Sequence, residues 1–170
     1  MTQDNIVYPA GKYSVLRLLP SDPYSRKLFP EVITRAIRFI DTSHSDVDPI
    51  WFGQHFYGHF HQRTDYIHLL VAMENDTIVA HSVSYVDTNN NLGNHVVLLQ
   101  LEKDIPDGQE IIDVGLQLID SWARGLGLTT IINCTDSKAR VRYFERYGFK
   151  PARIIMHREV PVDVAEVVNG

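Results

Sequence analysis

Apolar and polar positions along the chain sort into a succession of strands and helices. Tyr13 to Leu19 (YSVLRLL) alternates and ends at Pro20, which predicts a strand closed by the turn-forming PSDP. From Ser25 to Ile40 the apolar residues Leu28, Val32, Ile33, Ala36, Ile37 and Ile40 recur every three or four positions. That spacing predicts an amphipathic helix running through Pro30, with Arg35 and Arg38 on its wet side. Asp41 to Asp48 is polar and reads as a loop. Asp48 followed by Pro49 has the form of an N-cap and a proline at N1, opening a second helix that runs to His61 and is aromatic rather than aliphatic. Ile67 to Met73 and Thr77 to Val86 predict strands joined by a hairpin-like turn at Glu74, Asn75 and Asp76, and Asp87 to Gly93 is another turn. His95 to Leu101 is a nearly continuous apolar run, as expected of a strand buried on both faces. A loop over Glu102 to Gln109, a helix over Ile111 to Arg124 and a strand over Thr129 to Cys134 follow. In SKARVRYFERYGF, Ala139, Val141, Tyr143, Phe144 and Tyr147 form a helical stripe that stops at Gly148, a glycine in the C′ position, before a final strand over Arg153 to Glu159. This order predicts an α/β chain with a mixed sheet and helices on its faces.

Composition narrows the class without naming a function. The 170 residues are enough for one domain that buries a core unaided, and 44% hydrophobic with 22% charged residues is ordinary for a globular protein. The single cysteine, Cys134, cannot close an internal disulfide, and the opening MTQDNIVYPAGK lacks the basic start and apolar run of a signal peptide. A reducing, cytoplasmic setting is the expectation. No apolar run approaches the roughly 18 residues of a membrane span, and the net charge of −5 argues against a nucleic-acid partner.

The tail carries a resemblance. Phe144 to Phe149 (FERYGF) is similar to the Y-x-x-x-G-F end of the fourth-helix pattern N-x-x-A-x-x-x-Y-x-x-x-G-F of the GNAT acyltransferase superfamily. The preceding ARGLGLTTIINCTDS looks like the helix, turn and strand of the same family, and the resemblance covers Tyr13 to Val160. It implies a GNAT-like domain over 13–160, with a central, mostly antiparallel sheet and helices on both faces. Residues 1–12 are then an N-terminal extension and 161–170 a C-terminal tail. It also implies acetyl-CoA as cofactor and an amine as acceptor.

In that family the pyrophosphate loop reads Q/R-x-x-G-x-G/A, and glycines let backbone N–H groups at a helix start close on the anion. Anchored on Trp122-Ala123-Arg124, the loop falls on Asp107 to Ile112. Asp107 replaces the leading Gln or Arg, Glu110 and Ile112 replace the glycines, and Gly108 remains. The cofactor-binding residues so implied are Leu101, Gly108, Gln109 and Ile111, with Ser137 at the asparagine position of the fourth helix. Glu102, Asp104, Asp107, Glu110 and Asp113 against Lys103 oppose an anion. A carboxylate ~5 Å from a phosphate charge costs roughly 3 kcal/mol at an effective dielectric near 20. Asp107 and Glu110 read equally well as acids that stabilise a helix start.

For the chemistry, the resemblance implies a tyrosine that protonates the leaving thiolate, but Phe144 stands there and has no proton to give. Tyr143 is the neighbouring phenol, pointing about 100° away on the helix; Tyr143, Phe144 and Tyr147 also read as core aromatics. Glu102, ending the fourth strand of the family, is the candidate general base, or else a solvated strand end. His55, His59 and His61 lie among Trp51, Phe52, Phe56, Tyr57 and Phe60. His55 and His59 have the spacing of a two-ligand metal site, yet no third ligand is evident. They are expected as edge residues of a helix lining the acceptor groove or a partner surface.

Three functions remain open: an N-acyltransferase; a GNAT-shaped scaffold that binds a protein partner or self-associates through the 51–61 helix or the 160–168 tail; and a small-ligand sensor using the cleft between the family's fourth and fifth strands.

Overall fold

A computed structural model of the chain describes residues 7–42, 47–62, 65–88, 94–106, 108–133 and 138–151. The chain divides into two compact units, Met1–Cys134 and Thr135–Gly170.

The first unit is built on a six-stranded sheet whose spatial order follows the sequence. Its strands are β1 (Val7–Ala10), β2 (Tyr13–Arg17), β3 (Ile67–Glu74), β4 (Thr77–Asp87), β5 (His95–Lys103) and β6 (Ile131–Ile132). All neighbours are antiparallel except β5 and β6, which are parallel. The helices are α1 (Pro23–Thr42), α2 (Pro49–His61) and α3 (Gln109–Gly125). This is the expected mixed α/β sheet, with β1 an additional strand from the segment read as an extension.

The two sheet faces carry different cores. Alternate residues Ile67, Leu69, Val71, Met73 and Val83 pack with Leu28, Phe29, Val32, Ala36 and Ile40 of α1 and with Phe52, Phe56 and Phe60 of α2. On the other face Tyr13, Val15, Ala72 and Ala80 pack with Ile111 of α3. The aromatic helix is therefore a core helix on one side, with Phe52 and Phe56 fully buried, while Ile50, Trp51 and Tyr57 face solvent.

Local signals set the element ends. Asp48 Oδ1 accepts from Ile50 N at 2.8 Å, capping α2 ahead of Pro49. Asn75 and Asp76 take φ values of 48° and 64°, the left-handed pair of a tight hairpin turn between β3 and β4. α1 begins at Pro23, two residues before the sequence expectation, because Asp22 Oδ2 accepts from Ser25 N.

One irregularity positions the site. Ser84 pairs with Leu98 but Val83 pairs with Gln100, so Leu99 is an extra residue in β5. The bulge moves the strand's register by one, and side-chain alternation by one flips every later residue to the other face. Gln100 and Glu102 thereby face α1, with Glu102 directly opposite His81.

The described part of the second unit contains α4 (Lys138–Glu145). Gly148 at φ 83° ends it: Phe149 N donates to Phe144 O at 3.3 Å and Gly148 N to Glu145 O at 3.1 Å. The Phe144 and Phe149 rings lie 5.2 Å apart. These are the two bonds and the apolar contact of a Schellman stop. Phe144 alone of the helix is buried; Tyr143 and Tyr147 are half-buried, hydroxyl to hydroxyl at 3.4 Å, which corrects the expectation of three core aromatics. The expected strand over 153–159 and the tail over 160–168 lie outside the described residues.

Candidate active site

Among the described residues β5 and β6 pair at Val96–Ile131 and Val97–Ile132. Beyond that, Asn133 Nδ2 donates to Leu98 O at 2.7 Å, a side chain standing in where a ladder bond would continue. β5 runs on to Lys103, and among the described residues no strand pairs with its last residues on that side.

β5 leads through Asp104–Pro106 to the start of α3. Gly108 is the N-cap at φ 113° and ψ 33°, with no side-chain cap bond. Its φ requires glycine, and a Cβ there would also lie 2.9 Å from Ile105 Cδ1 and 3.3 Å from Ile111 Cδ1, so these side-chain ends would have to shift. Ile111 N and Ile112 N donate to Gly108 O, which leaves the N–H groups of Gln109 and Glu110 without an intrahelical acceptor. α3 starts two residues earlier than expected, so Glu110 and Ile112 sit inside its first turn rather than in an open loop. Ile111 and Ile112 are buried in the core. Their side chains are unavailable to a ligand, and of the residues expected to hold the cofactor Ile111 is held in the apolar layer. Gln109 is exposed and donates to Asp113 Oδ1 at 3.0 Å. Leu101 is half-buried opposite Ser82. Asp107, Cys134 and Ser137 lie outside the described residues.

On the α1 side of the same strand is a polar cleft of about 560 Å³ lined by Pro30, Glu31, Thr34, Arg35, Arg38, His81, Glu102 and Asp104. The α1 residues recur at helical spacing and form one stripe. Arg35, read from the sequence as solvent-facing, bonds Glu31 Oε1 at 3.1 Å and pairs with Asp104. His81 was not among the expected site residues. Its side chain is 3% exposed, its Nε2 lies 3.2 Å from Gln100 Oε1, and the Glu102 Oε2 atom is 3.7 Å away. Burial pushes its pKa below the usual histidine range, partly opposed by the Gln100 bond. A buried histidine amid an apolar strand is the sequence signal that was available; its pairing with Glu102 was not, because it depends on the bulge.

α2 does not line this cleft. Its histidines form a ring ladder instead, with His55 stacked on Trp51 at 4.8 Å and 4.5 Å from His59. Among the described residues no group of three metal-ligating side chains converges.

No protein-family model and no curated protein matches the sequence. Solved structures do match it. A predicted acetyltransferase from Clostridium acetobutylicum, solved with acetyl-CoA, superposes at a TM-score of 0.64 and 15% identity, over 86% of this chain and 96% of that one. The fold is that of the GNAT acetyltransferases. An aminoglycoside acetyltransferase from an uncultured soil metagenomic sample, in complex with sisomicin, has a TM-score of 0.62 at 13% identity, over 89% and 97% of the two chains. Glucosamine-6-phosphate N-acetyltransferase from Arabidopsis thaliana gives 0.58 at 16% identity, over 88% and 99%. The GNAT fold thus emerges from the backbone at 13–16% identity. Among the described residues, no helix of this GNAT fold is long and apolar enough to cross a membrane.

Proposed function

We propose that the chain is an N-acyltransferase that takes an acyl group from a CoA thioester and passes it to an amine. The observation that carries this reading is that β5 leads on one face of the sheet to the N-terminus of α3 and lines on the other a polar cleft, while among the described residues its pairing with β6 ends at Val97. Enzymes of this fold with amine acceptors include the aminoglycoside and glucosamine-6-phosphate acetyltransferases above.

Acetyl-CoA fits the residues present. Main-chain groups of β5 around Leu101 suit an extended arm, and the Gln109 and Glu110 N–H groups at the α3 start suit a pyrophosphate. Gly108 keeps the approach clear of a side chain. Glu110 is the discordant element, but its carboxyl group lies against the β1–β2 turn, where a Cβ on Gly11 would be 3.6 Å from it. The bound thioester supplies the activated acyl carbon. Glu102, in the cleft with Asp104 and Glu31, attracts a cationic amine and accepts its proton, leaving the lone pair free to attack; holding the partners together supplies much of the rate. The family resemblance alone proposes Tyr143, in the second unit, as the group that protonates the leaving thiolate.

Calorimetry and thermal melting with acetyl-CoA test the reading. At 100 times its dissociation constant the ligand should add about 2.7 kcal/mol to folding stability. No heat and no shift at millimolar acetyl-CoA would overturn it. A second reading, a scaffold or assembly subunit, is favoured by Ile50, Trp51 and Tyr57 at 69%, 43% and 56% exposure on the outer side of α2. It predicts a self-associating or partner-bound chain, read by light scattering.

A further inference from the structure

The cleft contains a buried chain of polar groups that the acyltransferase reading does not by itself use. Gln100 Nε2 donates to Ala36 O of α1 at 3.0 Å. That bond fixes the amide, because the flipped orientation would set two oxygens against each other. Gln100 Oε1 then faces His81 Nε2 at 3.2 Å, and only a protonated Nε2 satisfies it. Both side chains are buried, Gln100 and His81 at 2% and 4% exposure, so the arrangement is held by packing as well as by bonding. The Glu102 Oε2 atom lies 3.7 Å from the same nitrogen. The antiparallel register places His81 and Glu102 opposite each other.

We propose that His81, locked as the Nε2–H tautomer by Gln100, is a positioning residue that orients the Glu102 carboxylate in the cleft and sets its proton affinity. The proposal rests on the reading of Glu102 as the group that takes the acceptor's proton. The Nε2–H bonds Gln100 and the Glu102 Oε2 atom lies 3.7 Å from that nitrogen, so the neutral ring acts on the carboxylate through its dipole and favours the ionised form modestly, whereas an imidazolium would hold it ionised so firmly that it could take no proton from an amine. Burial keeps His81 neutral, consistent with the first case. The other charged groups facing the cleft are Glu31, Arg35 and Arg38 from α1 and Asp104 after β5, and Arg35 is engaged by Glu31 and Asp104. The proton balance is simple. One N–H bond of the acceptor breaks, one O–H bond forms on Glu102, and solvent takes that proton afterwards.

Nuclear magnetic resonance on the ligand-free chain tests this without reference to turnover. In the wild type, ¹⁵N spectra should show His81 protonated at Nε2 and bare at Nδ1. The ¹³C carboxyl titration of Glu102, assigned with Glu102→Gln, should move up by about half a unit or more in His81→Leu and stay near wild type in His81→Gln, which retains an N–H donor. If the chain acylates an amine, the acidic limb of its kcat/KM profile should shift with the carboxyl titration in His81→Leu, with KM for acetyl-CoA unchanged. An Nδ1–H tautomer, or a Glu102 titration indifferent to His81→Leu, would overturn the proposal. The tautomer is read on the wild type, so a variant that does not fold leaves that criterion in force. Absence of acetyl-CoA binding would remove the acyltransferase reading while the titration still decides the His81–Glu102 coupling.

Discussion

Val97 and Ile132 are the last residues that β5 and β6 share as a parallel pair, and the next contact across the gap is the Asn133 amide on Leu98 O at 2.7 Å. One side chain thus marks the point where the two strands stop pairing. Asn133→Ala should cost about 1 kcal/mol, the net worth of one such bond. It should also speed amide exchange in β6. Urea denaturation and hydrogen exchange check both.

Gly108 combines a φ of 113° with a Cβ position 2.9 Å from Ile105 Cδ1. Gly108→Ala should therefore destabilise the fold by about 1–3 kcal/mol through backbone strain and weaken acetyl-CoA binding beyond that loss. Gly125→Ala is the control, since nothing lies within 4 Å of a Cβ there and its φ is not positive. Thermal melts and calorimetry of the two variants separate the effects.

His68 is 2% exposed and stacks on Trp122 at 4.9 Å. Burial, with the nearby Arg17 charge adding to it, holds its pKa well below 6.5, and burial holds His81 below that value too. The unfolded chain therefore binds more protons than the folded one once the pH drops below about 6.5. Stability should be full above that pH and fall as the pH is lowered towards the folded-state values. Each histidine can contribute a slope of at most about 1.4 kcal/mol per pH unit, and His68, whose pKa lies well below the usual value, should dominate. His68→Phe, which keeps the stacking, should flatten the loss between about pH 6.5 and 5 in urea titrations.

Glu110 and Ile112, which the family resemblance aligns with loop glycines, differ in what a substitution would do. Glu110 is exposed and Ile112 is 3% exposed in the core. Glu110→Gln should tighten acetyl-CoA binding several-fold by removing a like charge from the helix start, with stability changed by less than about 1 kcal/mol. Ile112→Gly should cost about 3–5 kcal/mol from the cavity and the lost helix propensity together. Calorimetry and denaturation on each single variant are the measurements.

Much of the architecture was legible because it rests on local rules. The Asp48–Pro49 cap, the Asn75–Asp76 turn and the Phe144-x-x-x-Gly148-Phe149 stop each depend on a few neighbouring residues whose backbone preferences leave little choice. The helix and strand order followed from periodicity. Element ends were less legible: the helix was expected from Ile111, whereas Gly108 caps it and it starts at Gln109, which brings Glu110 into the first turn.

The sequence by itself determined the class of fold, the Gly148 stop and Glu102 as an acid near a strand end, because these follow from local spacing. Which side chains share the cleft was decided only by the tertiary structure. In the register of Asp87 with His95, residue His81 would face Leu101, and Gln100 and Glu102 would point to the α3 side of the sheet. The one extra residue at Leu99 turns both towards α1, beside His81, Arg35 and Arg38. A bulge is a choice between two nearly equal pairings that is made by packing on both faces of a sheet, and no local pattern in HVVLLQLEK announces it.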